Sequence, residues 1–341
     1  MLIHQRVVVE RGTRSGFPIV VAVHSTALGQ AIGGCRLAVY HDWRAGLDDA
    51  LRLSAAMTAK TALAGLPNGG GKTVVVLPGG PAVDRQAVLY DVADVIGTLG
   101  GIYVTGPDMG TGPDDMRIIS ERTSHVLGLD GGASPATAAG VLAAIQAVLA
   151  DRFGSPSLSG RTFAVLGVGR VGAAVVDLLA AGGATVLASD VDGSRRTVAE
   201  SLGATWTDPR SCLTAEVDVL VPAARGGLLT AATVPTLRCA AIAGPANNQL
   251  DEPATADLLH ARGILWAPDV VVSSGGIIHS VATDLHREPP AQVATRIAAI
   301  GDTLTGILDA ARETSSTPAA AASRLAGFLI GEPTVSTLAA C

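Results

Sequence analysis

Two lysines twelve positions apart, Lys60 and Lys72, are the residues of this chain best placed to do chemistry, and the second stands directly behind Gly69-Gly70-Gly71. Glycine weakens regular structure, so an ordinary surface lysine gains nothing from three of them. The run suits a backbone that must pass very close to something, or adopt positive φ, just where an amine is presented. Two neighbouring amines resist simultaneous protonation, so one of them can stay neutral near pH 7 and act as a general base. The bland alternative is a glycine-rich turn with two solvated lysines. A carboxylate, Asp108, follows Gly106-Pro107 at the end of the strand-like Ile102-Tyr103-Val104-Thr105. Ligands of open α/β sheets gather at that edge of a strand.

The second constellation is Gly167-Val168-Gly169-Arg170-Val171-Gly172, with an apolar strand before it and a helical pattern after it. Asp190 lies eighteen positions beyond the last glycine, at the end of Thr185-Val186-Leu187-Ala188. A lone GxGxxG is weak, but this full context is the dinucleotide-binding fingerprint. The glycines let a pyrophosphate reach the helix N-terminus, whose free N–H groups favour an anion. Asp190 would bond the adenosine ribose and repel a 2′-phosphate, which favours NAD over NADP. The alternative is a glycine-rich turn in some other doubly wound sheet.

The elements that must hold these groups alternate strand and helix. Residues 19–23 form a β-branched run, residues 43–60 repeat apolar positions at a helical period, and residues 73–77 read as a strand after a Gly-Lys turn. A helix is expected over residues 86–97. Composition turns loop-like around residues 130–135, where the domain hinge is placed, and Ser134 is a candidate N-cap for a helix over residues 136–149. Strands at residues 217–221, 240–243 and 264–266 lead into turns of small or polar residues, among them Pro222-Ala223-Ala224 and Gly244-Pro245-Ala246-Asn247-Asn248. Asn247 and Asn248, read as buried, suit recognition of a carboxamide, which needs a donor and an acceptor. A helix cap is the other reading of Asn248. Helices are expected again at residues 295–308 and 318–330.

With 341 residues the chain suggests two domains, and 48% hydrophobic against 16% charged residues supplies ample core. A net charge of −6 with no basic cluster argues against nucleic acid as a partner. Cys35, Cys212, Cys239 and Cys341 form no CxxC pair, so free thiols in a reducing compartment are expected, and no metal site. The first six residues lack the pattern of a signal peptide. The apolar stretch 163–188 is interrupted by Arg170 and Asp177, so no membrane span is expected. A cytoplasmic protein follows.

Taken in order, the motifs resemble the glutamate, leucine, phenylalanine and valine dehydrogenase family, most closely its leucine/valine/phenylalanine branch. They are Gly33-Gly34-Cys35-Arg36; Asp49-Ala50-Leu51-Arg52-Leu53-Ser54 with Met57-Thr58-Ala59-Lys60; Gly69-Gly70-Gly71-Lys72; Thr105-Gly106-Pro107-Asp108; Ser134-Pro135-Ala136-Thr137; the GxGxxG; Ala246-Asn247-Asn248-Gln249; and Ala267-Pro268-Asp269 before Gly275-Gly276. The resemblance implies an α/β fold with an N-terminal substrate domain, a Rossmann-type dinucleotide domain and a cleft between. Its expected boundaries are 1–132, 133–315 and a C-terminal helical segment, 316–341, returning to the first domain. It implies NAD-linked oxidative deamination of an L-amino acid to a 2-oxo acid and ammonia, and a homo-oligomer, a dimer or a multiple of one. Lys60 would pair with the substrate carboxylate, with Gly33 and Gly34 letting the backbone approach. Lys72 would be the base of depressed pKa that activates water, and Asp108 would shuttle the amino proton. Thr137 and Asn247 would hold the nicotinamide amide, while Gly167, Gly169, Arg170, Val171, Gly172, Asp190 and Ala223 would hold the rest of the dinucleotide.

Ser273 stands where the family carries the Asn of Asn-Ala-Gly-Gly, which helps to anchor the amino-acid head. A serine reaches less far, and a bridging water could compensate. Ala59 replaces an aromatic residue of close relatives, and nothing in the sequence explains it. The resemblance implies that Ile32, Gly106, Ser280 and Thr283 should line the side-chain site. Ile32 is apolar where glutamate enzymes place a lysine, and Gly106 and Ser280 are small, so a large or aromatic side chain such as that of phenylalanine is favoured over leucine or valine. Two rivals remain. A silent NAD-binding sensor on the same fold would have lost Lys60, Lys72 or Asp108. A 2-hydroxy-acid dehydrogenase needs a histidine acid–base, and His260, His279 and His286 show no sequence partner for that role.

Overall fold

Ile19-Val20-Val21-Ala22-Val23 is apolar at every position rather than at alternate ones, and all five residues are buried. The reason is a sheet covered on both faces. In the computed structural model, which describes residues 4–79 and 83–331, this run lies in β2 (Pro18–Ser25) of a five-stranded sheet. The other strands are β1 (Arg6–Arg11), β3 (Ala31–Val39), β4 (Gly69–Leu77) and β5 (Tyr103–Pro107), in the order β1-β2-β4-β3-β5. β2 runs antiparallel to β1 and β4, while β3 runs parallel to β4 and β5. α1 (Trp43–Leu63), capped by the Asp42 side chain on the Ala45 N–H, covers one face, where Val20, Ala22, Ala50, Val74 and Val76 form the core. α2 (Arg85–Gly97) and α3 (Pro113–Ser120) cover the other, over a core that includes Ile19, Val21, Cys35, Val88, Ile96 and Met116.

Two local expectations change here. Gly69, Gly70, Gly71 and Lys72 belong to β4 itself, not to a turn before it, and none of the three glycines has positive φ. Gly33 and Gly34, which the sequence suggests as punctuation after the residue 19–23 run, continue β3 rather than interrupting it. Close backbone approach explains both. A side chain on Gly33 would overlap the Gly71 carbonyl oxygen, and one on Gly69 would overlap that of Ser25.

The second sheet is wholly parallel, ordered β11-β10-β9-β6-β7-β8. Its strands are β6 (Thr162–Leu166), β7 (Thr185–Ser189), β8 (Thr205–Trp206), β9 (Val219–Pro222), β10 (Ala241–Ile242) and β11 (Leu265–Trp266). That is the doubly wound order in which winding reverses between the first and fourth strands, here β6 and β9. Its helices are α4 (Ala133–Phe153), α5 (Arg170–Ala181), α6 (Arg196–Ser201), α7 (Pro209–Leu213), α8 (Thr255–Ala261), α9 (Asp269–Val272) and α10 (Gly275–Ser280). A π turn (Val281–Leu285), α11 (Pro290–Ala298), α12 (Ile300–Glu313) and α13 (Pro318–Ile330) follow. Ser134 lies inside α4, one residue past its start, so it is not the N-cap. Among the described residues, α4 alone has the length and hydropathy of a membrane span, yet it packs against α5, α10 and α12.

The chain divides into two compact units. Of the described residues, the first holds 4–132, 284–287 and 326–331, and the second holds 133–283 and 288–325. Residues 316–325 therefore belong to the second unit, and residues 332–341, including Cys341, lie outside the described residues. Residues 284–287 are tied into the first unit by Asp284, whose carboxylate accepts the Gly128 N–H at 2.7 Å.

Candidate active site

In the first unit, strand alternation puts Ile32, Gly34 and Arg36 of β3, Lys72 of β4 and Gly106 of β5 on the α1 side of the sheet. α1 comes unusually close there. A side chain on Gly70 would lie 2.1 Å from the Thr58 backbone nitrogen and 2.6 Å from the Ser54 carbonyl oxygen. Thr58 is held by His24, whose Nδ1 lies 2.9 Å from its hydroxyl, and Lys60 follows two residues later. Neither lysine is solvated: Lys60 is 8% exposed and Lys72 is 5%. On the opposite face the fully buried Tyr103 ring packs under Gly71, 2.5 Å from where a side chain would begin. Its hydroxyl accepts from Thr73 at 3.1 Å and lies 3.2 Å from both Gly33 O and Thr105 Oγ1, either of which can take its one proton. Each of the three glycines of the run thus meets a different neighbour, and Lys72 emerges from the strand so fixed.

Lys72 Nζ contacts Asp108 Oδ2 at 2.7 Å, and Arg36 Nε donates to the same oxygen at 2.9 Å. Burial pushes the Asp108 carboxyl upward, but Lys72 and Arg36 together outweigh it and hold it well below the usual carboxylate range. Arg36 Nη1 continues to Asp49 Oδ2 at 2.8 Å, which also accepts from the Tyr40 hydroxyl at 2.7 Å, while Asp49 Oδ1 accepts from Arg52 at 2.6 Å. Gly34 makes room for the pair, since a side chain there would lie 2.6 Å from Asp108 Cβ and 3.1 Å from Lys72 Nζ. Ile32 is fully buried, and Gly106 is half-buried; among the described residues only Leu127 comes within ordinary contact of an added methyl, at 3.8 Å.

Sequence reasoning gave no role to Arg36, Asp49 or Tyr103. Two signals could have found the first pair. Arg36 is two positions from Gly34 on a strand, and Asp49 is eleven positions, or about three helical turns, before Lys60 on α1.

In the second unit, Gly167 has φ +108° and sits against Ala223 and Ala224, so the loops after β6 and β9 meet at the reversal point of the sheet. Gly172 packs on the Gly167 carbonyl, where a side chain would come within 1.9 Å. By contrast, among the described residues a side chain on Gly169 would meet nothing within 4 Å, and the first turn of α5, with Arg170 and Val171, has no side-chain cap. An open glycine beside uncapped helical N–H groups fits a pyrophosphate. Asp190 Oδ2 accepts the Val168 N–H at 2.7 Å and Oδ1 accepts the Asp192 N–H at 3.0 Å, which fixes the carboxylate beside the loop with lone pairs left for a ribose.

Asn247 is exposed and Asn248 half-buried, with φ 51°, so the expectation that both are buried is corrected. The buried amide is Gln249, which accepts from Trp266 Nε1 and donates to the Gly244 and Ala246 carbonyls, fixing the turn that carries Asn247. Ser273, buried at the end of α9, donates to the Asp269 carbonyl at 2.5 Å and lies 3.3 Å from Asn247 Oδ1. Thr137 donates to the Ala133 carbonyl at 2.8 Å. Gly275 and Gly276 let α10 pack on α4, since side chains there would strike the Ala136 carbonyl and the Thr137 hydroxyl. Ser280 is buried at the end of α10, and Thr283 is half-buried in the π turn.

A parallel sheet in doubly wound order with an open glycine loop, preceded by an α/β unit carrying buried ionisable groups, defines a two-unit dehydrogenase. Comparison with known proteins agrees. Residues 1–125 match the family model described as Glu/Leu/Phe/Val dehydrogenase, dimerisation domain, and residues 189–288 match Glutamate/Leucine/Phenylalanine/Valine dehydrogenase. Residues 143–234 match the NAD binding domain of D-isomer specific 2-hydroxyacid dehydrogenases, a likeness confined to the dinucleotide-binding region. Leucine dehydrogenase of Bacillus cereus is 37% identical over 332 residues, covering 95% of this chain and 90% of the relative. L-tryptophan dehydrogenase of Nostoc punctiforme is 37% identical over 328 residues, covering 95% and 92%. The crystal structure of L-tryptophan dehydrogenase from Nostoc punctiforme matches with a TM-score of 0.81 at 34% identity, over 96% of both chains. The chain belongs to the Glu/Leu/Phe/Val dehydrogenase family, and its cofactor is NAD.

Proposed function

We propose that this enzyme carries out the reversible oxidative deamination of an L-amino acid with a large hydrophobic or aromatic side chain, phenylalanine being the reference substrate, to the 2-oxo acid and ammonia. The observation that carries the reading is the Lys72–Asp108 contact of 2.7 Å, buried on the glycine-lined face of the first sheet. It joins a potential base and a carboxylate where proton transfer needs both. Lys60 binds the substrate carboxylate. Asp108 takes the proton that leaves the amino nitrogen as the Cα–N double bond forms. Thr137, Asn247, Ala223, Asp190 and the loop from Gly167 to Gly172 would hold NAD, which would supply the acceptor for the Cα hydride. Lys72, in its amine form, takes a proton from water as the water oxygen bonds the imino carbon. Lys72 passes that proton to solvent, Asp108 returns its own to the nitrogen, which leaves as ammonia, and the carbinol hydroxyl gives its proton to Lys72 as its oxygen forms the carbonyl.

The side-chain preference rests on Ile32, fully buried and apolar, which offers a side-chain carboxylate no partner, and on the space beside Gly106. A second reading, a branched-chain substrate, is favoured by the 37% identity to leucine dehydrogenase, equal to that with the tryptophan enzyme. A cytoplasmic homo-oligomer is part of the proposal, supported by the dimerisation-domain match. The test is NADH formation against a panel of L-amino acids at alkaline pH. A parent preferring leucine or valine overturns the aromatic reading, and no turnover with any amino acid overturns deamination.

A further inference from the structure

A guanidinium beside a lone carboxylate ordinarily takes both oxygens in a two-bond fork. Arg36 does not do so with Asp108. It gives Asp108 only its Nε–H, at 2.9 Å, while Nη1 is engaged by Asp49 at 2.8 Å. Asp49 is itself anchored by Tyr40 and Arg52, at 2.7 and 2.6 Å. Lys72 makes its shortest contact with the same Asp108 oxygen, so both cations crowd Oδ2, and among the described residues Arg36 donates nothing to Oδ1. Arg36 and Asp49 are each 13% exposed, which limits the alternatives that water could offer them.

From this we propose that Asp49 is a positioning residue for proton transfer: by holding Arg36 out of a fork, it keeps Asp108 Oδ1 open for the substrate nitrogen. The inference rests on the proposed deamination and adds which oxygen receives the proton and what keeps it available. The N–H bond of the substrate breaks and the O–H bond forms at Oδ1, while Oδ2 stays with Lys72 and Arg36. The charged and titratable groups around Asp108 are Lys72 from β4, Arg36 and Cys35 from β3, Tyr103 from β5, whose phenol burial pushes up, and, through Arg36, Asp49 and Arg52 from α1 with Tyr40 at the end of β3. Cys35 is not a competitor, because burial first, with Asp108 and Asp115 adding to it, pushes its thiol up to about 12.

The experiment compares Asp49→Asn, Arg36→Gln and the double variant in the full-length enzyme. Asp49→Asn frees Arg36 to fork onto Asp108. It should lower kcat at least tenfold with KM for the amino acid changed less than threefold, and move the acid limb of the pH profile downward. The double variant, lacking the intruding guanidinium, should recover at least a third of the Arg36→Gln kcat. A merely structural ion pair predicts the opposite: the double variant no better than Asp49→Asn, with an unmoved pH profile. Either result, or wild-type kcat in Asp49→Asn, overturns the proposal. Should Asp49→Asn fail to fold, Tyr40→Phe removes one anchor of Asp49 and should give the same change in smaller measure, with no change overturning it. A crystal structure of the variant separates this idea from the deamination reading. The fork on Oδ1 is visible without turnover, and its absence refutes the inference even if the enzyme deaminates amino acids well.

Discussion

Gly70→Ala tests whether the glycine run exists to bring α1 onto β4. The added methyl would begin 2.1 Å from the Thr58 nitrogen, 2.4 Å from its hydroxyl and 2.6 Å from the Ser54 carbonyl, whereas real contacts of this kind rarely fall below 3.0 Å. Two of those atoms are backbone, so no side-chain rotation relieves the overlap, and α1 must retreat by roughly 1 Å. Overpacking of this size costs about 1–3 kcal/mol in stability. The catalytic cost should be larger, because Lys60 rides on the same helix two residues beyond Thr58. A displacement of about 1 Å at a positioning group costs on the order of 100-fold in rate. The assay is kcat/KM for the best amino acid, with Tm and NAD affinity measured in parallel. The expected result is a 30–300-fold loss, on the order of that estimate, carried mainly by KM, with NAD affinity kept. A folded variant within threefold of the parent would refute the idea that the glycine sets the position of Lys60.

The remaining predictions concern single groups. Lys72→Ala should lower turnover by roughly 10²–10⁴-fold while NAD affinity stays near that of the parent, and retained turnover would remove Lys72 as the base. The parent should prefer NAD to NADP, and Asp190→Asn, which keeps an acceptor but no charge, should narrow that preference; equal kcat/KM for both cofactors in the parent would contradict the role of Asp190. Gly106→Ala fits sterically, with Leu127 at 3.8 Å, and should shift the phenylalanine-to-leucine ratio of kcat/KM toward leucine by about tenfold or more, an unchanged ratio showing that this position does not touch the side chain. Asp108 releases its proton more readily folded than unfolded, so its ion pairs stabilise fully above about pH 4 and lose that contribution as pH falls further. Tm should therefore drop more steeply below about pH 4 in the parent than in Asp108→Asn, and parallel curves would exclude Asp108 from the acid response.

Much of the second unit was legible because its signals are local. β6 falls where the apolar run lies, at Thr162–Leu166, and the GxGxxG announces both its strand and its helix; α13, at Pro318–Ile330, is equally local, though its last residues belong to the first unit. The first unit was harder to read, since its glycines answer to residues far away in sequence. Gly33 is explained by Gly71, Gly70 by Thr58, and Gly71 by Tyr103, so without those neighbours a strand interior looked like a turn. Burial of amides misled for a related reason. Asn247 and Gln249 are chemically alike in sequence, and only the Trp266 N–H and two carbonyls on Gln249 show which one is the internal brace. The Arg36–Asp49 link joins a strand to a helix, and no single period spans both.

Lys72 sits in β4, with Ala22 of β2 as its register partner on one side and β3 on the other, and every residue from Gly69 to Val76 is buried. Central strands of this kind exchange their amide hydrogens only when the whole unit opens, whereas loops open alone. Lys72, which would act as the base, is therefore carried by the part of the first unit that opens last. In denaturant, deaminating activity should vanish together with the slowest-exchanging amides rather than ahead of them. Substrate range, by contrast, can drift through mutation at the ends of the strands without loosening the platform on which the proton moves.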